Sequence, residues 1–232
     1  KDFMTEKPKG FYGYVGTWEM DMIKVMYSSP DDERGTLIEF SGKGCRQFES
    51  FLECRKKTWF DFFQECLNEK GSFTRLDIAI DDKRTYFSIP SLLEKAQKGL
   101  CVSRFRKSDY NGSFDIGDGR LGGTTLYFGS KKSDAYLCFY EKNFEQAEKY
   151  NIPYEEIEDW NRYEIRLKNE RAHSAVCELI KDKNLTSIGM AIINNYVRFV
   201  EEDGPEEKRK RETSPFWLEF IGDVKKLRLY TK

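Results

Sequence analysis

Two aspartates share one face of a short strand pattern. In residues 74–81, TRLDIAID, Leu76, Ile78 and Ile80 alternate with Asp77, Ala79 and Asp81. A strand's period of two sends the aspartates to the same side. Aspartate has poor strand propensity and like charges on one face repel, so a partner is expected. The small Ala79 between them leaves room for a divalent cation, which would satisfy both carboxylates. A solvated sheet face with strand-end aspartates is the alternative, and on this segment alone the two stand about even.

A third carboxylate lies in residues 161–168, NRYEIRLK. Tyr163, Ile165 and Leu167 form an apolar face, and Arg162, Glu164 and Arg166 a polar one. If the two strands share a sheet, Asp77 and Glu164 can meet over one metal. An Arg–Glu–Arg surface ladder is the alternative and needs none. In residues 134–141, DAYLCFYE, Tyr140 ends a strand just before Glu141 and Lys142, where a helix starts. A phenol held there can attack phosphorus, and Lys142 can offset negative charge. Position alone is a weak argument, because the chain has 13 tyrosines and most tyrosines pack.

Three stretches then occur in order: TRLDIAID, TTLYFGSKKSDAYLCFYEKNFEQ and WNRYEIRLK. Together they resemble the Rep_trans family of rolling-circle plasmid replication initiators, whose pattern is shared with relaxases of Gram-positive conjugative elements. The family shows an R-L-D-hydrophobic-A-hydrophobic-D strand, a Y-F-G-x-[KR]-x-S-[DE] stretch, Y-[EN]-K, and W-x-[RY]-x-E-hydrophobic-x-L-K. The match spans roughly residues 74–168, and its combined spacing is more specific than any one piece.

The resemblance implies roles for individual residues. Tyr140 matches the nucleophile and Lys142 the basic position two residues on. Asp77 and Glu164 match acidic positions that bind Mg2+ or Mn2+, with Asp81 as a third ligand. The implied reaction is nicking of one strand at a plasmid double-strand origin, at a single-stranded or cruciform site. It leaves a 5′-phosphotyrosine and a 3′-OH that primes rolling-circle replication, and the ends are rejoined at termination. A homodimer and a host helicase partner are implied as well. A conjugative relaxase with the same chemistry is one alternative, and a non-catalytic DNA-binding module is the alternative from another class. An ordinary tyrosine has a pKa near ~10, so some group must help remove its proton; the sequence does not single one out. His173, the one histidine, excludes metal binding by a histidine pair and leaves carboxylates, whose oxygens suit Mg2+ or Mn2+.

The elements that position these residues follow from pattern. Residues 11–27 and 36–41 read as strands. Phe48, Phe51, Leu52, Trp59, Phe63, Cys66 and Leu67 recur at three and four residues, which predicts one helix ending at Gly71. After the strand at 74–81, a short helix opens at Pro90 and CVSRFRKS returns as a strand. Residues 110–123 carry five glycines and no periodicity and read as a loop. Strands at 124–130 and 134–141, a helix at 142–150, a strand at 161–168 and a helix near 170–183 come next. A helix from Ser187 carries Met190, Ile193, Tyr196 and Phe199 on one face. Ser214-Pro215 caps a last helix with Trp217, Phe220, Ile221 and Val224. The fold class is α+β, a mostly antiparallel sheet with helices on one side. A pseudo-twofold arrangement of two half-domains is compatible with the order, although residue identity between the halves is too thin to establish a repeat.

The whole chain sets outer bounds. It has 232 residues with 39 basic and 40 acidic side chains, a net charge of −1. That balance does not exclude nucleic acid, since local patches hold phosphates. Residues 208–232 hold eight Lys/Arg against three Asp/Glu. We read 1–203 as the catalytic nicking domain and 204–232 as a basic C-terminal segment for DNA recognition. Lys208, Arg209, Lys210 and Arg211 are the first DNA contacts expected; a solvated charged loop is the alternative. Lys131 and Lys132, and Arg104, Arg106 and Lys107, are second candidates. No apolar run approaches the ~18 residues of a membrane span, and no secretion signal is read at the start, which is Lys1 in place of Met as in a trimmed chain. Six scattered cysteines without a CxxC pair read as buried reduced thiols of a cytoplasmic protein.

Overall fold

The computed structural model describes residues 3–231. The chain divides into two compact units, Lys1–Glu69 and Lys70–Lys232. The boundary drawn from the sequence at 203/204 concerned function; the structural division falls at 69/70.

The first unit is an antiparallel sheet of β1 (Thr5–Lys7), β2 (Gly16–Met20), β3 (Ile23–Tyr27) and β4 (Thr36–Phe40), in that order. Two helices follow, α1 (Lys43–Cys54) and α2 (Trp59–Asn68). The periodic stretch read as one helix is thus broken. Lys56 takes a left-handed φ of 56°, and Thr58 restarts the chain with a capping box to Asp61, satisfying orphan amides at the new N-terminus. The break lets Trp59 and Phe62 close on Phe40, with ring centroids 5.6 and 5.7 Å away.

The second unit holds a five-stranded antiparallel sheet in the order β5-β10-β9-β8-β7. Its strands are β5 (Arg75–Asp82), β7 (Ser108–Phe114), β8 (Leu121–Gly129), β9 (Ala135–Glu141) and β10 (Asn161–Lys168). A separate antiparallel pair joins β6 (Cys101–Ser103) to β11 (Val197–Phe199). The alternation seen in sequence puts Ile78, Tyr163, Ile165, Leu167, Leu137, Phe139, Leu126 and Phe128 on one buried face. Helices α3 (Ile89–Gln97), α5 (Asn169–Asp182), α6 (Leu185–Tyr196) and α7 (Pro215–Ile221) belong to this unit, while α4 (Lys142–Tyr150) leaves the end of β9 directly. Gly189 permits the approach of α6, because a Cβ there would lie 2.8 Å from the Ile80 Cδ1 atom. The fold is the α+β arrangement that the sequence predicts.

Further expectations fail locally; Val224, expected on the last helix, lies beyond its end at Ile221. Residues 110–123 are not a loop but mostly the β7–β8 hairpin, paired Asn111 to Thr125 and Gly112 to Thr124. Every residue of β7 is exposed, so backbone pairing at a sheet edge builds the strand without an apolar pattern. Phe199 is not on a helix; α6 ends at Tyr196, and Phe199 pairs with Cys101 in the two-stranded ladder.

The last helix is part of this unit's core. Trp217 is 1% exposed, stacked on Phe87 at 5.9 Å and tilted against Phe199 at 5.1 Å. Phe220 meets the Tyr163 ring at 4.8 Å. Trp217→Ala should therefore cost about 3–5 kcal/mol of unfolding free energy, read as a lower urea midpoint; an unchanged midpoint would show that residues 215–221 add nothing to the fold.

Candidate active site around Tyr140

The polar face of the five-stranded sheet is built by register. On β10, Arg162, Glu164 and Arg166 lie opposite Asp81, Ala79 and Asp77 of β5. On its other side they lie opposite Tyr140, Cys138 and Tyr136 of β9. Thr125 of β8 then lies opposite Tyr140. Pairing of this kind brings side chains from four strands onto one surface. A cleft there is lined by Tyr140, Cys138, Glu141, Lys142, Glu145, Arg162, Glu164 and Arg166, with Asn111 to Ser113 of β7 at its side.

Within the cleft the Tyr140 hydroxyl donates to Glu164 Oε1 at 3.0 Å. Arg166 holds the other Glu164 oxygen, with Nη2 donating to Oε2 at 2.6 Å. The Tyr140 pKa is pushed well above its ordinary value, first by burial, then by the negative charges of Glu164 and Glu145 and by the hydrogen bond to Glu164; the Arg162 guanidinium opposes them. The neutral phenol is thus the resting form. Glu141 Oε2 accepts from the Thr124 amide at 2.7 Å. Burial raises the Glu141 pKa, and the contacts from Thr124 counter it. Lys142 is 7% exposed and donates through Nζ to Glu145. Its amide donates to the Trp160 carbonyl at 2.6 Å, tying the start of α4 to the strand that carries Arg162 and Glu164.

Of the residues expected from the sequence, Tyr140, Lys142 and Glu164 share the cleft. Asp77 and Asp81 lie on the same sheet face, diagonal to Glu164, but neither lines the cleft. Asp77 is paired with Arg75 at 2.7 Å. Asp81 accepts from Arg162 and from Trp160. Burial alone would raise the Asp81 pKa, but those two donors outweigh it and hold it below the usual aspartate value. Among the described residues no three His, Cys, Asp or Glu side chains are grouped to hold a metal ion. Each of the three carboxylates is met by an arginine.

The basic residues lie elsewhere. Lys131 and Lys132 are in the turn between β8 and β9, beyond the end where Gly129 faces Tyr136, and the Lys131 carbonyl accepts from Lys168. Lys208, Arg209 and Lys210 form an exposed 3₁₀ turn that Arg211 ends. The Arg209 and Arg211 carbonyls accept from Arg198, and Lys208 Nζ donates to the Cys101 carbonyl. None of these six lines the Tyr140 cleft. His173, on α5, accepts from the Phe73 amide at 3.4 Å, an ordinary packing role.

Sequence reasoning missed Glu145, Arg162, Arg166 and Trp160 as parts of the site. The period of two already placed both arginines beside Glu164. Glu145 follows Lys142 by three residues, the spacing that pairs side chains on a helix.

Comparison with known proteins covers the whole chain. Residues 71–232 match the family model described as replication initiation factor. Residues 1–65 match the rolling circle replication initiation protein N-terminal domain. The chain is 72% identical over 232 residues to a Bacillus subtilis (strain 168) protein named "Putative DNA relaxase NicK". All of the chain is aligned, and it spans 66% of that relative's length. A solved structure of a rolling circle replication initiator protein from Geobacillus stearothermophilus superposes with a TM-score of 0.79 at 32% identity, over 99% of this chain and 85% of that one.

The thiols provide a test of the cleft floor. Cys54 is exposed, contrary to the expectation of uniformly buried cysteines, and Cys138 is buried. Burial, with the charge of Glu164, pushes the Cys138 thiol up to about 12, which leaves almost no thiolate at pH 8. Iodoacetamide at that pH should alkylate Cys54 and spare Cys138 until urea is added, as read by peptide mass spectrometry. Equal labelling in the native protein would mean that the floor is open.

Proposed function

The chain belongs to the replication initiation factor family, and from that premise we propose that it nicks one strand of DNA through Tyr140 and can reseal it. The observation that carries this reading is the Tyr140 hydroxyl, half-buried in a cleft, hydrogen-bonded to a carboxylate, with Arg162 and Arg166 lining the same cleft.

The step balances as a transesterification. The Tyr140 O–H bond breaks and its proton passes to Glu164 Oε1 along the existing hydrogen bond. The phenol oxygen forms a bond to phosphorus, and the bond from phosphorus to the 3′ oxygen breaks. The electron pair leaves with that oxygen, which takes a proton from water, and the hydroxide so formed takes the proton back from Glu164. The products are a 5′-phosphotyrosine and a 3′-OH. Storing the phosphodiester on tyrosine keeps its energy for rejoining. Arg162 and Arg166 offset the charge that builds on the phosphate oxygens, and fixed guanidinium donors are suited to this. Lys142, neutralised by Glu145 in the free protein, adds a cation at the cleft wall.

A divalent cation, Mg2+ or Mn2+, would supply further charge stabilisation when bound. Glu164 and Asp77 are the donors we propose for it, with Glu145 close by in the cleft. Carboxylate oxygens suit such a hard ion. The absence of a three-acid group among the described residues is compatible with Mg2+, which usually takes one or two carboxylates and completes its shell with water and substrate phosphate.

The same chemistry serves a replication initiator at a plasmid origin and a relaxase that starts conjugative transfer. The name of the 72% identical relative favours the relaxase setting, and the solved structure the initiator setting. In either, residues 208–211 and 131–132 are proposed to hold the DNA backbone outside the cleft, within the functional division 1–203 and 204–232. A homodimer and a helicase partner belong to the same reading.

The test uses supercoiled plasmid carrying the DNA region that adjoins this protein's own gene, with Mn2+. Wild type should convert it to the nicked form with a covalent protein–DNA adduct. Tyr140→Phe should give neither, and Asp77→Ala and Glu164→Ala should each slow nicking by at least about 100-fold while DNA binding persists. DNA binding without any adduct in wild type would favour the non-catalytic module, and wild-type rates in Tyr140→Phe would remove Tyr140 as nucleophile.

A further inference from the structure

Asp81 has both oxygens engaged by Arg162 of β10 and by Trp160, the residue just before that strand. Oδ1 accepts from Arg162 Nε at 2.7 Å and from Trp160 Nε1 at 2.7 Å. Oδ2 accepts from Arg162 Nη2 at 2.9 Å. This is a two-pronged carboxylate–guanidinium pair, a geometry that fixes direction as well as charge. The indole is itself held, with Lys83 Nζ 3.5 Å from its ring centroid. Arg162 is the residue that faces both ways. It lies in register with Asp81 on β5 and with Tyr140 on β9. Arg162 lines the cleft and Asp81 does not.

Trp160, Asp81, Arg162 and Tyr140 therefore form a chain across three adjacent strands. With Nε and Nη2 turned to Asp81, the remaining edge of the guanidinium is left for the cleft. An arginine side chain has four rotatable bonds, and one without the carboxylate would sample many directions.

We propose that Arg162 is a catalytic residue, holding positive charge against the Tyr140 oxygen and the scissile phosphate, and that Asp81, backed by Trp160, is its positioning residue and not a metal ligand. The inference rests on the tyrosine-nicking reading above. It reassigns Asp81 from the ligand role that the family resemblance implies. A cation drawing on Asp81 would release the Arg162 guanidinium from its aim. No atom is transferred through Arg162; its action is electrostatic.

The experiment pairs two readouts on the full chain: the single-turnover rate of adduct formation, and Mn2+ affinity by electron paramagnetic resonance. Arg162→Ala should slow the adduct by about 100- to 1000-fold, the range for losing a charge-stabilising donor. Asp81→Asn should slow it by up to about 100-fold, as expected of a misaimed group. The double variant should be no slower than Arg162→Ala, because the two act as one unit. Arg162→Lys should stay impaired, since an ammonium lacks the fork. Mn2+ affinity of Asp81→Asn should match wild type. Trp160→Phe, a milder change, should slow the adduct several-fold and covers the case in which Asp81→Asn misfolds. A wild-type rate in Asp81→Asn and Trp160→Phe, additive losses in the double variant, or a tenfold loss of Mn2+ affinity in Asp81→Asn would each overturn the assignment. No adduct from wild type on any substrate would instead overturn the nicking reading on which it rests.

Discussion

Glu164 stands opposite Ala79 on one side and Cys138 on the other, and this register is the constraint on which the site depends. Side chains alternate with a period of two, so a slip of one residue would turn Glu164, Arg162 and Arg166 into the core and Tyr163, Ile165 and Leu167 out to water. The last three are fully buried. Their burial, at roughly 1.5–3 kcal/mol for each large apolar side chain, makes any slip prohibitive. The core thus fixes the chemistry on the opposite face. Tyr140 needs no loop to place it, and rigid strands hold a reacting group more tightly than loops do.

Charge on that face is balanced by adjacency. Glu164 is met by Arg166, Asp81 by Arg162, Asp77 by Arg75 and Glu145 by Lys142. A phosphate entering near Glu164 and Glu145 would be repelled by about 4 kcal/mol for each unit pair at ~4 Å in a partly dry site. Positive charge must therefore act at similar range. Arg162 and Arg166 supply part of it, and a cation on Glu164 would remove part of the repulsion. Burial first, and then the charges of Glu164 and Glu145 over that of Arg162, keep the phenol neutral before substrate arrives.

Much of this was legible in the sequence where one physical rule dominated. Strands 74–81, 134–141 and 161–168 have clean alternation, and all three were found within a residue of their observed ends. The helix pattern from Phe48 to Leu67 hid its break, because apolar spacing carries through the turn; only Thr58 followed by Asp61 marked a restart. The β7–β8 hairpin was illegible, since an exposed edge strand needs backbone partners and no apolar side chains. Phe199 kept helical spacing but was claimed by Cys101, 98 residues earlier, a contact that no local pattern encodes. At the site, Asp81 was visible as a carboxylate, whereas its partners Trp160 and Arg162 lie about 80 residues away. The type of residue was readable, and the side chain that satisfies it was not.

The central claim is that one phenol oxygen, that of Tyr140, becomes bonded to DNA. Digesting the adduct formed by the wild-type protein with nuclease and trypsin and sequencing the nucleotide-bearing peptide by tandem mass spectrometry tests it most directly. A nucleotide 5′-phosphate is expected on Tyr140, in the peptide that ends at Lys142. A nucleotide found on Tyr136, Tyr127 or any other residue, with Tyr140 unmodified, would contradict it.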